Sequence, residues 1–506
     1  MLSSVVSGAI DGIDAYSVNV EVDVSKGLPI FTIVGLPDIS VKEARDRVVS
    51  AIKNSGFDFP SRKITVNLAP ADVKKEGSLF DLAIAIGILA CTGKVNTEKL
   101  KSFCFLGELA LDGSVRFVKG VLPLALSLKQ SGHKSIVVSE GNSNEASVVE
   151  GLNVYPVRTL KEAVGFINGE SEISASRTSF DTLGGMCDFD CDFSEVKGHA
   201  FARRAVEIAA AGGHNLLMIG PPGSGKTMIA RRIPSILPLL SYNESIETTK
   251  IYSISGALQR GRGLLRVRPY RSPHHTSSAV AMIGGGTYPK PGEVSLAHNG
   301  VLFLDEFVEF NRDVIEALRQ PLEDRMVSIS RAKNSVVFPA GFMLVAAMNP
   351  CPCGNYGHPE KECLCTPYMI RKYRAKVSGP ILDRIDIHLD IPSLKTSEII
   401  EDNTSEPSND IRNRIIKARQ LQSERLRDTK ISTNSQMSSK EIKKYCVLNK
   451  NCKILLSEAI RKLSLSARAY DRVLKVSRTI ADLEGKENIE TAHIAETVQY
   501  RSLDIT

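Results

Sequence analysis

No stretch of this 506-residue chain is apolar for long enough to span a bilayer. The longest candidate, LAIAIGILAC at 82–91, follows Asp81 and contains Gly87, whereas a spanning helix needs about 20 apolar residues. The opening residues, MLSSVVSGAIDG, lack the basic region and apolar core of a secretory signal. No fixed-period repeat runs along the chain, which argues against a solenoid or propeller. Cytoplasmic residence without a membrane partner is the expectation. In that compartment the ten cysteines stay reduced, and a close cluster of them reads as metal ligands rather than disulfides. Net charge is only +7, too little for this length to point to nucleic acid by itself. Two basic runs stand out, 260–275 (RGRGLLRVRPYRSPHH, without an acid) and 411–430 (seven Lys/Arg against Glu424 and Asp428). Each could be a solvated face or a binding surface.

What is present in full is a phosphate cradle. Gly220-Pro221-Pro222-Gly223-Ser224-Gly225-Lys226-Thr227 fits G-x-x-x-x-G-K-[ST], preceded by a short apolar strand (216–219) and followed by a helical stretch from Met228. Glycines let backbone N–H groups curl around a phosphate, and the helix N-terminus adds its positive end. Lys226 is placed to reach the β- and γ-phosphates and the Thr227 hydroxyl to ligate Mg²⁺. A nucleoside-triphosphate site is implied, with ATP and Mg²⁺ as its occupants.

Two further apolar runs end in polar residues. Val301-Leu302-Phe303-Leu304 delivers Asp305 and Glu306. A buried parallel strand would set Asp305 beside the cradle to hold Mg²⁺ through water, with Glu306 as the base for the attacking water. Residues 343–348 likewise deliver Asn349, whose amide can bond the γ-phosphate and that water together.

Cys351-x-Cys353 and Cys363-x-Cys365 are two close pairs joined by residues 354–362. Four thiols so spaced can converge on one structural Zn²⁺. His358 is an alternate ligand, and a metal here would stiffen the backbone that positions Asn349. His274 and His275 have no partners at ligand spacing and are not read as metal ligands. Cys187 and Cys191 are taken as structurally neutral.

The length allows roughly three domains. Residues 1–168 alternate strand and helix signals: Val18, Val20, Val22 and Val24 alternate with polar residues. Val41, Ala44, Val48, Val49 and Ile52 share a helical face ending at Gly56, and Asp112-Gly113 marks a tight turn. Residues 169–193 read as a linker, 194–392 as the α/β nucleotide-binding core with the cysteine insertion at 351–365, and 393–506 as a helical part.

The strings RSPHHTSSAVAMIGGG (271–286), VLFLDEF (301–307), AAMNPCPCG (346–354) and SGPILDRIDIH (378–388) resemble the magnesium-chelatase-like AAA+ ATPases that include the competence-associated YifB/ComM group. GLPDISVKEARDRV (35–48) and NLAPADVKKEGSLFDLAIAIGIL (67–89) extend the resemblance to practically the whole chain. It implies a P-loop AAA+ parallel-sheet core, a C-terminal helical lid and an N-terminal α/β domain similar to the Lon-protease/S5 fold. It also implies a homo-hexameric ring with ATP between subunits. Arg384 matches the arginine finger and Arg468 the second sensor arginine, with Arg472 a further candidate. Without the family, Arg384 beside Asp383 and Asp386 reads as an ordinary ion pair. An insert near 260–295 is implied too. Residues 327–339 read as a hairpin, and in similar ring ATPases such a hairpin points into the pore. Arg331 and Lys333 on it are then the candidates for DNA phosphate contact.

Three functions follow from the resemblance. The first is a DNA motor for helicase or branch-migration work in recombination or transformation, with single-stranded or branched DNA and recombination proteins as partners. The second is a chelatase-type protein-remodelling subunit. The third, a Lon-like ATP-dependent peptidase, is disfavoured. Aligned with K-D-G-P-S-A-G, the serine position holds Leu79, and the lysine position falls near Leu124. Ser78 with Lys119 or Lys129 is a displaced pair that could be proposed in their place.

Overall fold

The computed structural model describes residues 1–178, 189–286, 289–330, 335–358, 360–393, 405–429, 431–463 and 466–501. Packing divides the chain into two units: 1–186 with 241–266 and 330–338, and 187–240 with 267–329 and 339–506.

The first unit is built on a seven-stranded sheet. Its order is Phe31–Val34, Lys63–Ala69, Asp14–Ser25, Leu2–Asp11, Cys104–Leu106, Ser135–Ser139 and Asn153–Val157. Alternation in Asp14–Ser25 turns Val18, Val20, Val22 and Val24 inward, all buried. The helix Ile39–Asn54 starts at Asp38, whose carboxylate accepts from the Val41 N–H at 2.8 Å. Its buried face carries Val41, Ala44, Val48 and Ile52 as expected. Ala51 completes that face, while Val49 is only half-buried. Past its end, Gly56 sits at φ +84°, a backbone shape that favours glycine. The apolar run 82–91 falls in the helix Asp81–Cys91, buried on every side, so its hydrophobicity serves a protein interior. Burial pushes the Asp81 carboxyl up to about 6, although Arg47 bonds it at 2.7 and 3.0 Å. Asp112-Gly113 makes the expected turn between Glu108–Leu109 and Val115–Arg116. Residues 241–266, read from sequence as part of the nucleotide-binding core, pack in this first unit. Their helix Tyr242–Ser255 places Tyr242 and Ile246 against its apolar core.

The second unit holds a five-stranded sheet ordered Tyr270–Arg271, Val301–Leu304, Met343–Met348, Leu216–Ile219 and Ile387–Asp390. Every neighbouring pair is parallel. Four of the strands carry near-continuous Val/Ile/Leu/Met runs because helices cover both faces. Parallel direction places all C-terminal strand ends on one edge, where such sheets hold ligands. Beyond the sheet lie the helices Ser408–Arg425, Ser439–Tyr445, Lys450–Leu463, Ala467–Leu483 and Thr491–Gln499. Ile411, Ile415, Val476 and Ile480 from this region share the sheet's core, and Leu456, Val473 and Ile494 form a further cluster.

Arginines of both basic runs are engaged within the fold, while Arg260 and Arg262 are exposed. Arg412 donates to the Ser235 carbonyl at 2.8 Å and Arg419 to that of Ala210 at 2.7 Å, each in the last turns of a helix, where cations are favoured. Arg414 pairs with Glu207 at 2.6 Å and Arg425 with Asp482. In the other run Arg268 donates to the carbonyls of Pro238 (2.7 Å) and Asn299 (2.8 Å), and Arg271 pairs with Glu293 at 2.6 Å. Among the described residues no helix is long and apolar enough to cross a membrane.

Candidate active site

The cradle follows strand Leu216–Ile219 directly. A Cβ on Gly220 would lie 2.2 Å from the Ile391 carbonyl oxygen and 2.7 Å from Ser224 Oγ, so only glycine fits. Gly223 and Gly225 hold φ of +79° and +84°. The helix Lys226–Ile236 begins at once, leaving its first N–H groups turned toward the loop. Ser224 and Lys226 are buried. Lys226 Nζ donates to the carbonyls of Gly220 (2.7 Å) and Pro221 (2.8 Å) and lies 3.5 Å from Asn349 Oδ1. Burial lowers its pKa, opposed by the charge of Asp305.

Parallel strands bring the other predicted groups to the same edge. The Thr227 hydroxyl donates to Asp305 Oδ2 at 2.7 Å, a contact between residues 78 apart in sequence. Asp305 Oδ1 accepts from the Glu306 N–H at 2.9 Å. Glu306 sits at φ +50°, a left-handed conformation that costs a non-glycine residue about 1–2 kcal/mol. Its carboxylate meets a residue the sequence reading missed: His275 Nδ1 lies 3.0 Å from Glu306 Oε2. The His274 ring lies against that of His275, centroids 4.1 Å apart. Strand Tyr270–Arg271 pairs with Val301–Leu304, which carries both histidines to this edge; the basic context of the sequence held no sign of it. The Thr227 hydroxyl and Asp305 carboxylate are hard oxygen donors suited to Mg²⁺. Bound there, it would neutralise charge between the phosphates of ATP.

Arg384 and Arg468 are elsewhere. Asn215, Phe342 and Arg384 each precede a strand and therefore stand at the sheet's opposite edge. There a cavity of about 260 Å³ is lined by Asn215, Arg384, Arg468, Arg472 and Lys475 among others, and by no residue of 220–227. A four-residue strand alone separates the edges by roughly 13 Å. Arg384 donates to the Pro380 carbonyl at 2.8 Å and pairs with Glu323, not with the neighbouring Asp383 or Asp386. Arg468 is largely exposed, 3.9 Å from Asp383. Arg472 is tucked onto Asp386 at 3.2 Å. Burial alone would raise Asp386, but the His214 hydrogen bond and the charges of His214, Arg472 and Lys475 hold it at about 2.

The four cysteines converge. Cys351, Cys353, Cys363 and Cys365 place their sulfurs within 4.8 Å of one another. The Cys351–Cys353, Cys353–Cys363 and Cys351–Cys363 separations are 3.4, 3.6 and 3.7 Å. Zn–S bonds in a tetrahedron put thiolates roughly 3.8 Å apart, so the donor set fits Zn²⁺. His358 is turned to the backbone, accepting from Glu360 and Lys361 N–H at 3.0 and 3.1 Å, and stands outside the cluster. The loop abuts the cradle: a Cβ on Gly354 would come within 2.6 Å of Pro222. We expect elemental analysis of purified protein to find one zinc per chain, and Cys351→Ser with Cys363→Ser to lose it and melt at lower temperature. Zinc-free wild-type protein of unchanged melting temperature would contradict this.

Arg331 and Lys333 lie outside the described residues, as does Cys187; strands Met326–Ser330 and Ser335–Pro339 flank 331–334 and form a two-stranded sheet. In the N-terminal unit Leu79 and Leu124 are buried core residues, and the Ser78 hydroxyl bonds Glu108 rather than a lysine.

Comparison with known proteins identifies the family. Family models described as subunit ChlI of Mg-chelatase match residues 20–142, 192–399 and, for the ChlI C-terminal model, 405–501. Competence protein ComM of Haemophilus influenzae is 45% identical across 99% of this chain and 98% of its own. YifB of Escherichia coli is 43% identical across 99% and 97%. Lon protease 2 of Bacillus subtilis is a weak likeness, 24% identical over 124 residues, 22% of that protein. With its phosphate cradle, acidic strand end and parallel sheet, the chain belongs to the magnesium-chelatase-like AAA+ ATPase family of the ComM/YifB type.

Proposed function

We propose that this protein is a hexameric ring ATPase that couples ATP hydrolysis to translocation on DNA, with unwinding or branch migration as its work in the cytoplasm. One observation supports the ring above all. The cradle occupies one edge of the sheet, and Arg384 with Arg468 occupies the other. No side chain spans that distance, so the arginines serve a neighbouring copy. Head-to-tail contacts close into rings when the rotation from copy to copy closes, and six copies close at about 60° each.

In each composite pocket Lys226 and the N-terminus of its helix hold the β- and γ-phosphates. Glu306 takes the proton as water oxygen attacks the γ-phosphorus. The bond to the bridging oxygen breaks, and ADP and phosphate leave. Asn349, 3.5 Å from Lys226 Nζ, orients the γ-phosphate and the water. Arg384 of the neighbour neutralises charge as it builds on the phosphoryl group, with Arg468 beside it. Cys351, Cys353, Cys363 and Cys365 would hold Zn²⁺, whose tetrahedral bonds would stiffen the backbone after Asn349.

DNA as the track draws support from the full-length likeness to a protein named for competence. The ChlI matches favour a second reading, remodelling of a partner protein. ATPase assays with and without single-stranded and four-way DNA separate the two. Turnover should rise several-fold with DNA, and binding should weaken steeply with salt. An ATPase indifferent to DNA, without DNA affinity at low salt, would overturn the motor reading.

A further inference from the structure

The loop bearing the cysteines leads into the helix Pro367–Arg374, and this stretch carries an unusual surface. Tyr356, Leu364, Tyr368 and Met369 are all exposed, Leu364 at 82% and Tyr368 at 67%. Between 361 and 376 the sequence holds five cations and one acid, Glu362. Lys376 pairs with Glu309 at 3.3 Å. Arg371 and Lys372 are exposed, and no carboxylate among the described residues pairs with either. They stand three and four residues after Tyr368, on its face of the helix. Arg374, three residues after Arg371, lies over the Tyr356 ring, 5.6 Å from its centroid. Rings and cations therefore form one continuous strip.

We infer that this strip is a contact surface for single-stranded nucleic acid, coupled to the ATP site. The inference rests on the DNA reading above and adds a site distinct from the 327–339 hairpin. Exposed aromatic faces interleaved with unpaired cations are what unpaired bases and phosphates require: bases stack on rings and phosphates meet the charges. An apolar protein partner would leave Arg371 and Lys372 unmatched, and paired bases have no free face for Tyr368.

The inner side of the same helix points to the consequence. Tyr373 is buried, and the backbone of Asn349 lies close enough to act on its hydroxyl; Gly354 of the loop packs on Pro222 of the cradle. A strand held on the outer face thus pulls on elements that touch both the cradle and the γ-phosphate sensor.

The test uses full-length, zinc-loaded protein and a fluorescent single-stranded oligonucleotide of mixed sequence, read by anisotropy over a salt series. Tyr368→Ala should weaken binding by about 5- to 100-fold, with Tyr368→Phe close to wild type. Arg371→Glu with Lys372→Glu should lower the slope of log affinity against log salt by about 1.4. Basal ATPase should be unchanged in all three, while its stimulation by the oligonucleotide falls. As a check independent of variant folding, photo-crosslinking of a bromouridine oligonucleotide to wild-type protein should label peptides containing Tyr356 or Tyr368. Wild-type affinity and slope in the variants, or labels only elsewhere, would overturn the inference and leave the motor reading intact. Equal losses for Tyr368→Phe and Tyr368→Ala would remove stacking and overturn it too. Wild-type protein that binds no oligonucleotide would overturn both.

Discussion

Arg384→Ala should lower ATP turnover by about 10³-fold or more while nucleotide affinity changes little. The guanidinium stands across the sheet from its own cradle, so its loss removes nothing from the pocket that first receives ATP. In the proposed ring it removes the positive charge that a neighbour would present to the phosphoryl group in flight. In the single chain that charge is paired with Glu323, which is mostly exposed. In the proposed ring a γ-phosphate at the subunit interface would offer a stronger partner, and Arg384 would exchange one for the other. Arg384→Lys should recover only a small part of the rate, because an ammonium lacks the planar fork that grips two oxygens. Steady-state turnover with a parallel measurement of nucleotide binding checks both statements. Equal losses in affinity and turnover would mean that Arg384 binds ground-state ATP.

Glu306→Gln should lower turnover by about 10²–10⁴-fold with ATP still bound. Glutamine keeps the length of the side chain and can still meet His275, which lies 3.0 Å from Oε2. What it cannot do is accept a proton from water. The Thr227–Asp305 contact is untouched, so the metal donors remain. Single-turnover hydrolysis at saturating ATP reads the chemical step directly. A rate within a few-fold of wild type would pass the role of base to another group.

The cradle, the acidic strand end and the cysteine cluster were legible because each is local: short spacings decide their chemistry, and a parallel sheet then sets strand ends side by side. Gly220 has no room for a Cβ, and Gly223 and Gly225 hold positive φ values that favour glycine, so the motif is written in the backbone itself. His275 was not legible, because its meeting with Glu306 depends on the pairing of strand Tyr270–Arg271 with Val301–Leu304. Nor were the partners of the basic runs. Arg412 and Arg419 end on carbonyls some 200 residues away, and no window of sequence contains both ends of such a contact. The same holds for residues 241–266, whose helix finds its core among residues of the N-terminal unit. Arg384 was seen as an arginine of the family pattern, but that it stands on the far edge of the sheet emerges only from strand order.

That placement makes subunit mixing the most direct measurement. Lys226→Ala spoils a copy's own cradle, and Arg384→Ala spoils what it lends to its neighbour; each alone should be nearly inactive. Combined in equal amounts, roughly a quarter of the interfaces in a randomly assembled ring pair an intact cradle with an intact arginine, and ATP turnover should return accordingly. A mixture as inactive as its parents under conditions where they co-assemble, or an Arg384→Ala protein that hydrolyses ATP at the wild-type rate unaided, would contradict a pocket shared between copies.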